Sequence, residues 1–70
     1  MIFKVFGKND CIFCKEACFL IADSKYDFEY VDIKSNPSVV KPEWKTVPQI
    51  YHGDNYVGGY EQLEEYLNDL

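Results

Sequence analysis

The chain opens on an apolar run, Ile2-Phe3-Lys4-Val5-Phe6, which breaks at Gly7-Lys8-Asn9-Asp10. Residues 1–6 read as a buried strand with apolar side chains on both faces, as in the interior of a parallel or mixed sheet. From Cys11 to about Ala22 the spacing turns helical. Ala17, Leu20 and Ile21 form its core-facing set, Cys14 lies one turn earlier, and Asp10 is placed to cap the start. Asp23-Ser24-Lys25 ends that helix, and Phe28-Glu29-Tyr30-Val31-Asp32-Ile33 reads as a second strand. A strand, a helix and a strand in so short a span make a βαβ unit, so the two strands are predicted to be parallel. Lys34 to Lys45 shows no period; Pro37 and Pro42 mark turns, and Pro37 can start a short helix. Val47 to Tyr51 reads as a strand, His52-Gly53-Asp54 as a turn with a solvated histidine, and Asn55-Tyr56-Val57 as the antiparallel partner. After Gly58-Gly59, Tyr60 to about Asn68 is predicted to be a helix, with Tyr60, Leu63, Leu67 and Leu70 on one face.

The predicted fold is therefore α/β: one domain over residues 1–70, with a four-stranded mixed sheet flanked by helices, βαβ then ββα. Composition sharpens this. At 70 residues the core is small, but 47% hydrophobic and 17% aromatic content supplies bulky material, so a folded monomer is expected. A net charge of -5 disfavours nucleic acid, whose phosphates demand a basic face. The longest apolar segment is far below the roughly 20 residues of a membrane span, so no membrane partner is expected. No signal peptide is visible, and three cysteines make an odd count for a disulfide-stapled secreted domain. A cytoplasmic setting, with thiols in use, is the expectation.

The candidate chemistry lies in Cys11-Ile12-Phe13-Cys14, at the predicted strand-to-helix junction. Two thiols three positions apart on a first helical turn can close one disulfide. Unpaired N–H groups at that helix end favour a thiolate on the first of them. A Cys-x-x-Cys in this setting reads as a redox motif.

Two further signatures coincide with it: Thr46-Val47-Pro48 before the third strand and Gly58-Gly59-Tyr60-Glu61 before the last helix. With all three in order, the chain resembles a glutaredoxin of the small bacterial or phage type over essentially its whole length. The resemblance implies a thioredoxin-like fold and a glutathione-dependent thiol–disulfide oxidoreductase. It implies no permanently bound cofactor, glutathione as co-substrate, and disulfide-containing or glutathionylated proteins as partners, ribonucleotide reductase being a family-typical one. Cys11 would be the nucleophile and Cys14 the resolving thiol. Lys8 would support the thiolate and approach the glycine carboxylate of glutathione, and Phe13 would wall the site. Pro48 would follow a cis peptide bond that turns Val47, beside Thr46, toward the cleft. Gly59, Tyr60 and Glu61 would receive the γ-glutamyl end, carboxylate on the helix N–H groups and ammonium on Glu61.

This sequence departs from the usual Cys-Pro-Tyr-Cys centre in having Ile12 and Phe13. Cys18 is expected to be a partly buried structural cysteine, with a second resolving or regulatory thiol as the alternative. Trp44 and the tyrosines are expected in the core or at its rim. Reduction by a thioredoxin-type reductase is the competing electron source. The Trp-Ser-Gly-Phe-type motif of relatives fed that way is absent, since Lys45-Thr46 follows Trp44. Cys11, Cys14, Cys18 and His52 also number enough for a zinc site. The predicted remoteness of His52 argues against that, so no metal site is expected.

Overall fold

The computed structural model describes all 70 residues. Its elements are strand β1 (Phe3–Gly7), helix α1 (Ile12–Asp23), β2 (Phe28–Asp32), a short 3-10 turn at Pro37–Val39, β3 (Gln49–His52), β4 (Asn55–Gly58) and helix α2 (Tyr60–Asn68). The sheet order is β2-β1-β3-β4, with β1 parallel to β2 and antiparallel to β3, and β3 antiparallel to β4. This is the α/β, thioredoxin-like arrangement expected, with a mixed four-stranded sheet.

Both helices pack on one face of the sheet. Phe3 and Val5 of β1 and Ile50 of β3 meet Ala17 and Ile21 of α1 and Leu63 of α2 in one fully buried cluster. Burying each of these bulky side chains is worth about 1.5–3 kcal/mol, and together they fix which sheet face turns inward. Alternation along β1 is strict: Phe3, Val5 and Gly7 are buried, while Lys4 and Phe6 are half-buried. The outward Phe6 is covered by Trp44, with ring centroids 5.1 Å apart, and by Tyr51 at 5.9 Å. The apolar character of both β1 faces thus reflects its central place, the second face being closed by an aromatic from a loop.

Several boundaries and roles differ from the sequence expectation. β1 starts at Phe3 and reaches Gly7, and β3 starts two residues later than expected and includes His52. That histidine is not a solvated turn residue: it is 8% exposed. It pairs in register with Phe3, its ring stacks on the Phe3 ring at 4.1 Å, and its Nδ1 lies 2.6 Å from Tyr66 Oη. An imidazole flanked by aromatics and given one hydroxyl partner satisfies the rule that buried polar groups find hydrogen bonds. The tight turn is left to Gly53, at φ 61°, and Asp54. Leu20 is only half-buried and Leu70 is exposed past the end of α2, so Tyr66 joins Leu63, Leu67 and Tyr60 at the core instead.

The register brings three chain segments to one end of the sheet. β1 ends there at Gly7, β3 begins there with Gln49 opposite Phe6, and β4 ends there with Gly58 opposite Ile50. The segment Thr46–Pro48 and the starts of α1 and α2 therefore converge.

Candidate functional site

Cys11 is the N-cap residue of α1, with extended backbone (φ -110°, ψ 114°), and its Sγ accepts the Cys14 backbone N–H at 3.2 Å. The expected cap, Asp10, does not fill this position. Its carboxylate is exposed and lies 3.9 Å from Lys34 Nζ. The residue immediately before the first helical residue has the geometry to reach the third N–H, and that residue is the cysteine. A donated N–H at the end of a helix favours negative charge on the sulfur. Cys11 Sγ also lies 3.8 Å from the Val47 carbonyl, across the site.

Cys14 sits beneath, fully buried. A Cβ on Gly7 would lie 2.6 Å from Cys14 Sγ and 3.0 Å from Tyr30 Oη, so the absence of a side chain at Gly7 makes room for the second sulfur. Burial pushes the Cys14 thiol up to about 12, its hydrogen bond with Cys11 pushes the same way, and the Lys8 backbone N–H opposes them. Cys14 therefore keeps its proton at neutral pH. Burial also raises Cys18, which is half-buried and packs against the core. The Tyr30 hydroxyl is pushed up to about 12, first by burial and then by the neighbouring Cys14.

Beside the cysteines lies a cleft of about 300 Å³ lined by Phe13, Thr46, Val47, Pro48, Gly59, Tyr60, Glu61 and Gln62. Seven of the eight non-cysteine residues anticipated for the site line it. The eighth, Lys8, lies on the other side of Val47, in a separate cleft with Thr46 and Val47. The Val47–Pro48 peptide is cis. Val47 lies outside the strands, and its N–H is not used by the protein's own backbone. On the opposite wall, Gly58 has φ 121°, a conformation open to glycine, and Gly59 caps α2. The rings of Phe13 and Tyr60 are 5.7 Å apart and close one side.

Two positioning residues escaped the sequence reading. Gln49, 6% exposed, donates from Nε2 to the Thr46 carbonyl at 2.8 Å and accepts from Tyr56 Oη at 2.6 Å. It ties the Thr46–Pro48 segment to the sheet. Gln62 Oε1 accepts the Gly59 N–H at 3.0 Å. The spacing of Gly59 and Gln62, N-cap and third helical residue, was the available signal for the latter. No pattern marks Gln49, because an alternating strand position does not reveal a hydrogen bond to a loop. His52 is in the core with Phe3 and Tyr66, and no group of three or more His, Cys, Asp or Glu side chains is arranged to hold a metal ion.

A half-buried thiol at a helix start, a buried thiol below it and a cleft alongside define a thiol–disulfide redox protein of thioredoxin-like fold. The glutaredoxin family model matches residues 3–57, and the chain belongs to that family, whose members are thiol–disulfide oxidoreductases. It is 28% identical over 86 residues to the glutaredoxin of Enterobacteria phage T4, covering 94% of this chain and 99% of that protein. It is 32% identical over 68 residues to the hybrid peroxiredoxin hyPrx5 of Haemophilus influenzae, covering 91% of this chain. The chain spans only 28% of that longer protein. Among solved structures, the glutaredoxin-like NrdH-redoxin of Escherichia coli superposes with a TM-score of 0.83 at 20% identity, covering 100% of this chain and 95% of that one. At that identity the likeness speaks to the fold.

Proposed function

We propose that the protein reduces protein disulfides and glutathione mixed disulfides with glutathione as the electron source. The supporting observation is the cleft next to Cys11, which combines an unused backbone N–H at Val47, the open first turn of α2 and the Glu61 carboxylate. Glutathione is a peptide whose γ-glutamyl end carries one carboxylate and one ammonium. Its cysteine backbone pairs with Val47 as an added strand would, its α-carboxylate meets the N–H groups of Tyr60 and Glu61, and its ammonium meets Glu61. Phe13 provides the apolar wall, and Lys8 on the far side of Val47 supplies positive charge toward the glycine carboxylate.

The chemistry is thiol–disulfide exchange. Cys11 attacks as thiolate, one substrate sulfur leaves, and a mixed disulfide forms on Cys11. With a protein disulfide, Cys14 gives up its proton, attacks Cys11 Sγ and expels the reduced substrate. Two molecules of glutathione then reopen the Cys11–Cys14 bond, the first as a mixed disulfide on Cys11. Glutathionylated substrates need Cys11 alone. Ribonucleotide reductase is a candidate protein substrate.

A thioredoxin-type reductase is the second reading for the electron source. Ile12 and Phe13, 68% and 56% exposed around Cys11, offer the apolar surface that a protein reductant would cover. Turnover of one disulfide substrate with glutathione and glutathione reductase, set against turnover with NADPH and thioredoxin reductase, separates them. Saturable turnover with glutathione supports the first reading, and turnover with the reductase alone replaces it by the second.

A further inference from the structure

A second groove, about 620 Å³, is roughly twice the volume of the one beside Phe13 and Tyr60. It runs between α1 and the edge strand β2. Cys18, Phe28 and Tyr30 lie along it, and Phe19, a large apolar side chain 70% exposed, stands on its rim. Its charged lining residues are Lys8 and Lys15. Lys8 also lines the neighbouring cleft of about 330 Å³, together with Lys34, Lys45 and Val47. Four of the chain's seven lysines thus line two clefts that contain no acid, in a protein with 12 Asp and Glu residues. Two acids are close by and compete weakly: Asp10 faces Lys34 at 3.9 Å with both groups largely exposed, and the Asp32 carboxylate already accepts the Lys34 N–H and the Ser35 hydroxyl, each at 3.1 Å. The Phe13–Glu61 cleft has the opposite balance, one glutamate and no lysine.

We propose that the α1–β2 groove docks the polypeptide flanking a substrate protein's disulfide, and that the favoured flank pairs a bulky apolar side chain with carboxylates. The apolar side chain would rest against Phe19 and Phe28, and the carboxylates would face Lys15 and Lys8. The two clefts share Lys8, and the second reaches Val47, whose carbonyl is 3.8 Å from Cys11 Sγ, so a chain running along both passes near the attacking sulfur. This rests on Cys11 as the nucleophile. The docked disulfide is opened by Cys11 thiolate, one substrate sulfur leaves as thiolate and takes a proton from water, Cys14 loses its proton and attacks Cys11, and the second substrate sulfur departs. Two electrons pass from the dithiol to the substrate, leaving the Cys11–Cys14 disulfide. An acidic flank gains rate through steering, which salt screens.

The test uses prereduced protein in a single turnover, with no glutathione present. Two disulfide-cyclised peptides differ only in their flank, Phe-Glu-Glu or Phe-Lys-Lys, and hydroxyethyl disulfide serves as the small uncharged control. The acid-flanked peptide is expected to be reduced about tenfold faster at low salt, with the preference shrinking as salt is added. The double variant Lys15→Glu, Phe19→Ser, at exposed helix positions, should lose that preference and keep its rate with hydroxyethyl disulfide. A redox-inert acidic peptide, with serine for both cysteines, should shift the amide resonances of Lys15, Phe19 and Ala22. Equal rates for the two peptides while hydroxyethyl disulfide is reduced, or amide shifts confined to Thr46 and Glu61, overturn the proposal. If no disulfide is reduced, the nucleophile assignment fails, and the amide shifts still decide the docking surface.

Discussion

Gly7 and Cys14 are packed so closely that a single methyl group between them would lie 2.6 Å from the sulfur. The end of the central strand thereby sets the depth of the second thiol. Gly7→Ala is expected to destabilise the reduced protein by about 1–3 kcal/mol, the usual cost of overpacking. It should also displace Cys14 and slow closure of the Cys11–Cys14 disulfide. Urea unfolding, together with the rate of disulfide formation after mixed-disulfide addition, checks both effects.

Burial raises Cys14 from 9.0 to about 12, with a clear consequence for stability against pH. The folded state holds this proton more tightly than the unfolded chain. The contribution is fully present below pH 9 and is lost as the pH rises toward 12. Tyr30, raised from 10.0 to about 12, acts in the same direction over a narrower window. The melting temperature of the reduced protein should fall progressively above pH 9. Cys14→Ser should flatten that fall without abolishing it, because Tyr30 and Cys18 remain. Calorimetry from pH 7 to 11 measures this.

Gln49 joins Thr46 to Tyr56 from a position 6% exposed. Gln49→Leu keeps the bulk and removes both hydrogen bonds, leaving the Tyr56 hydroxyl and the Thr46 carbonyl to find other partners. A loss of about 1–3 kcal/mol in unfolding free energy is expected. If glutathione is the electron source as proposed, its KM should rise more than kcat falls, since the altered segment would bind it and not react. Steady-state kinetics with glutathione as the varied substrate checks the split.

Much of the fold was legible because its signals are local. The alternation in β1, the helical spacing of Ala17 and Ile21, and the break at Gly58-Gly59 each report on a few neighbouring residues. The site was legible for a different reason: Cys11, Val47-Pro48 and Gly59–Glu61 stand at element ends, and the topology gathers those ends together. His52 was misread because its burial depends on Phe3 and Tyr66, which are far from it in sequence. A His-Gly-Asp run looks like a turn, whereas pairing with Phe3 draws the histidine into β3 and leaves the turn to the next two residues. Asp10 was misread because the helix starts one residue later than its capping chemistry suggests. Gln49 and Tyr30 carried no sequence mark, since each acts through a contact made only after the sheet has formed.

The His52–Tyr66 contact at 2.6 Å anchors α2 to the sheet. Tyr66→Phe removes the hydroxyl and leaves a buried imidazole nitrogen without its partner. The expected cost is about 1–3 kcal/mol, with little change in turnover because the contact is remote from Cys11. Chemical denaturation and a standard turnover assay, run side by side, separate stability from activity.

The central claim is a division of labour in which Cys11 attacks and Cys14, protonated beneath it, resolves. The direct measurement exposes wild type, Cys11→Ser and Cys14→Ser to glutathione disulfide and follows each by intact mass and peptide mapping. Cys14→Ser should accumulate one glutathione on Cys11, wild type should pass through that adduct to the Cys11–Cys14 disulfide, and Cys11→Ser should remain unmodified on the same timescale. A glutathione adduct forming on Cys14 or Cys18 of Cys11→Ser as fast as on Cys11 of Cys14→Ser would contradict the account.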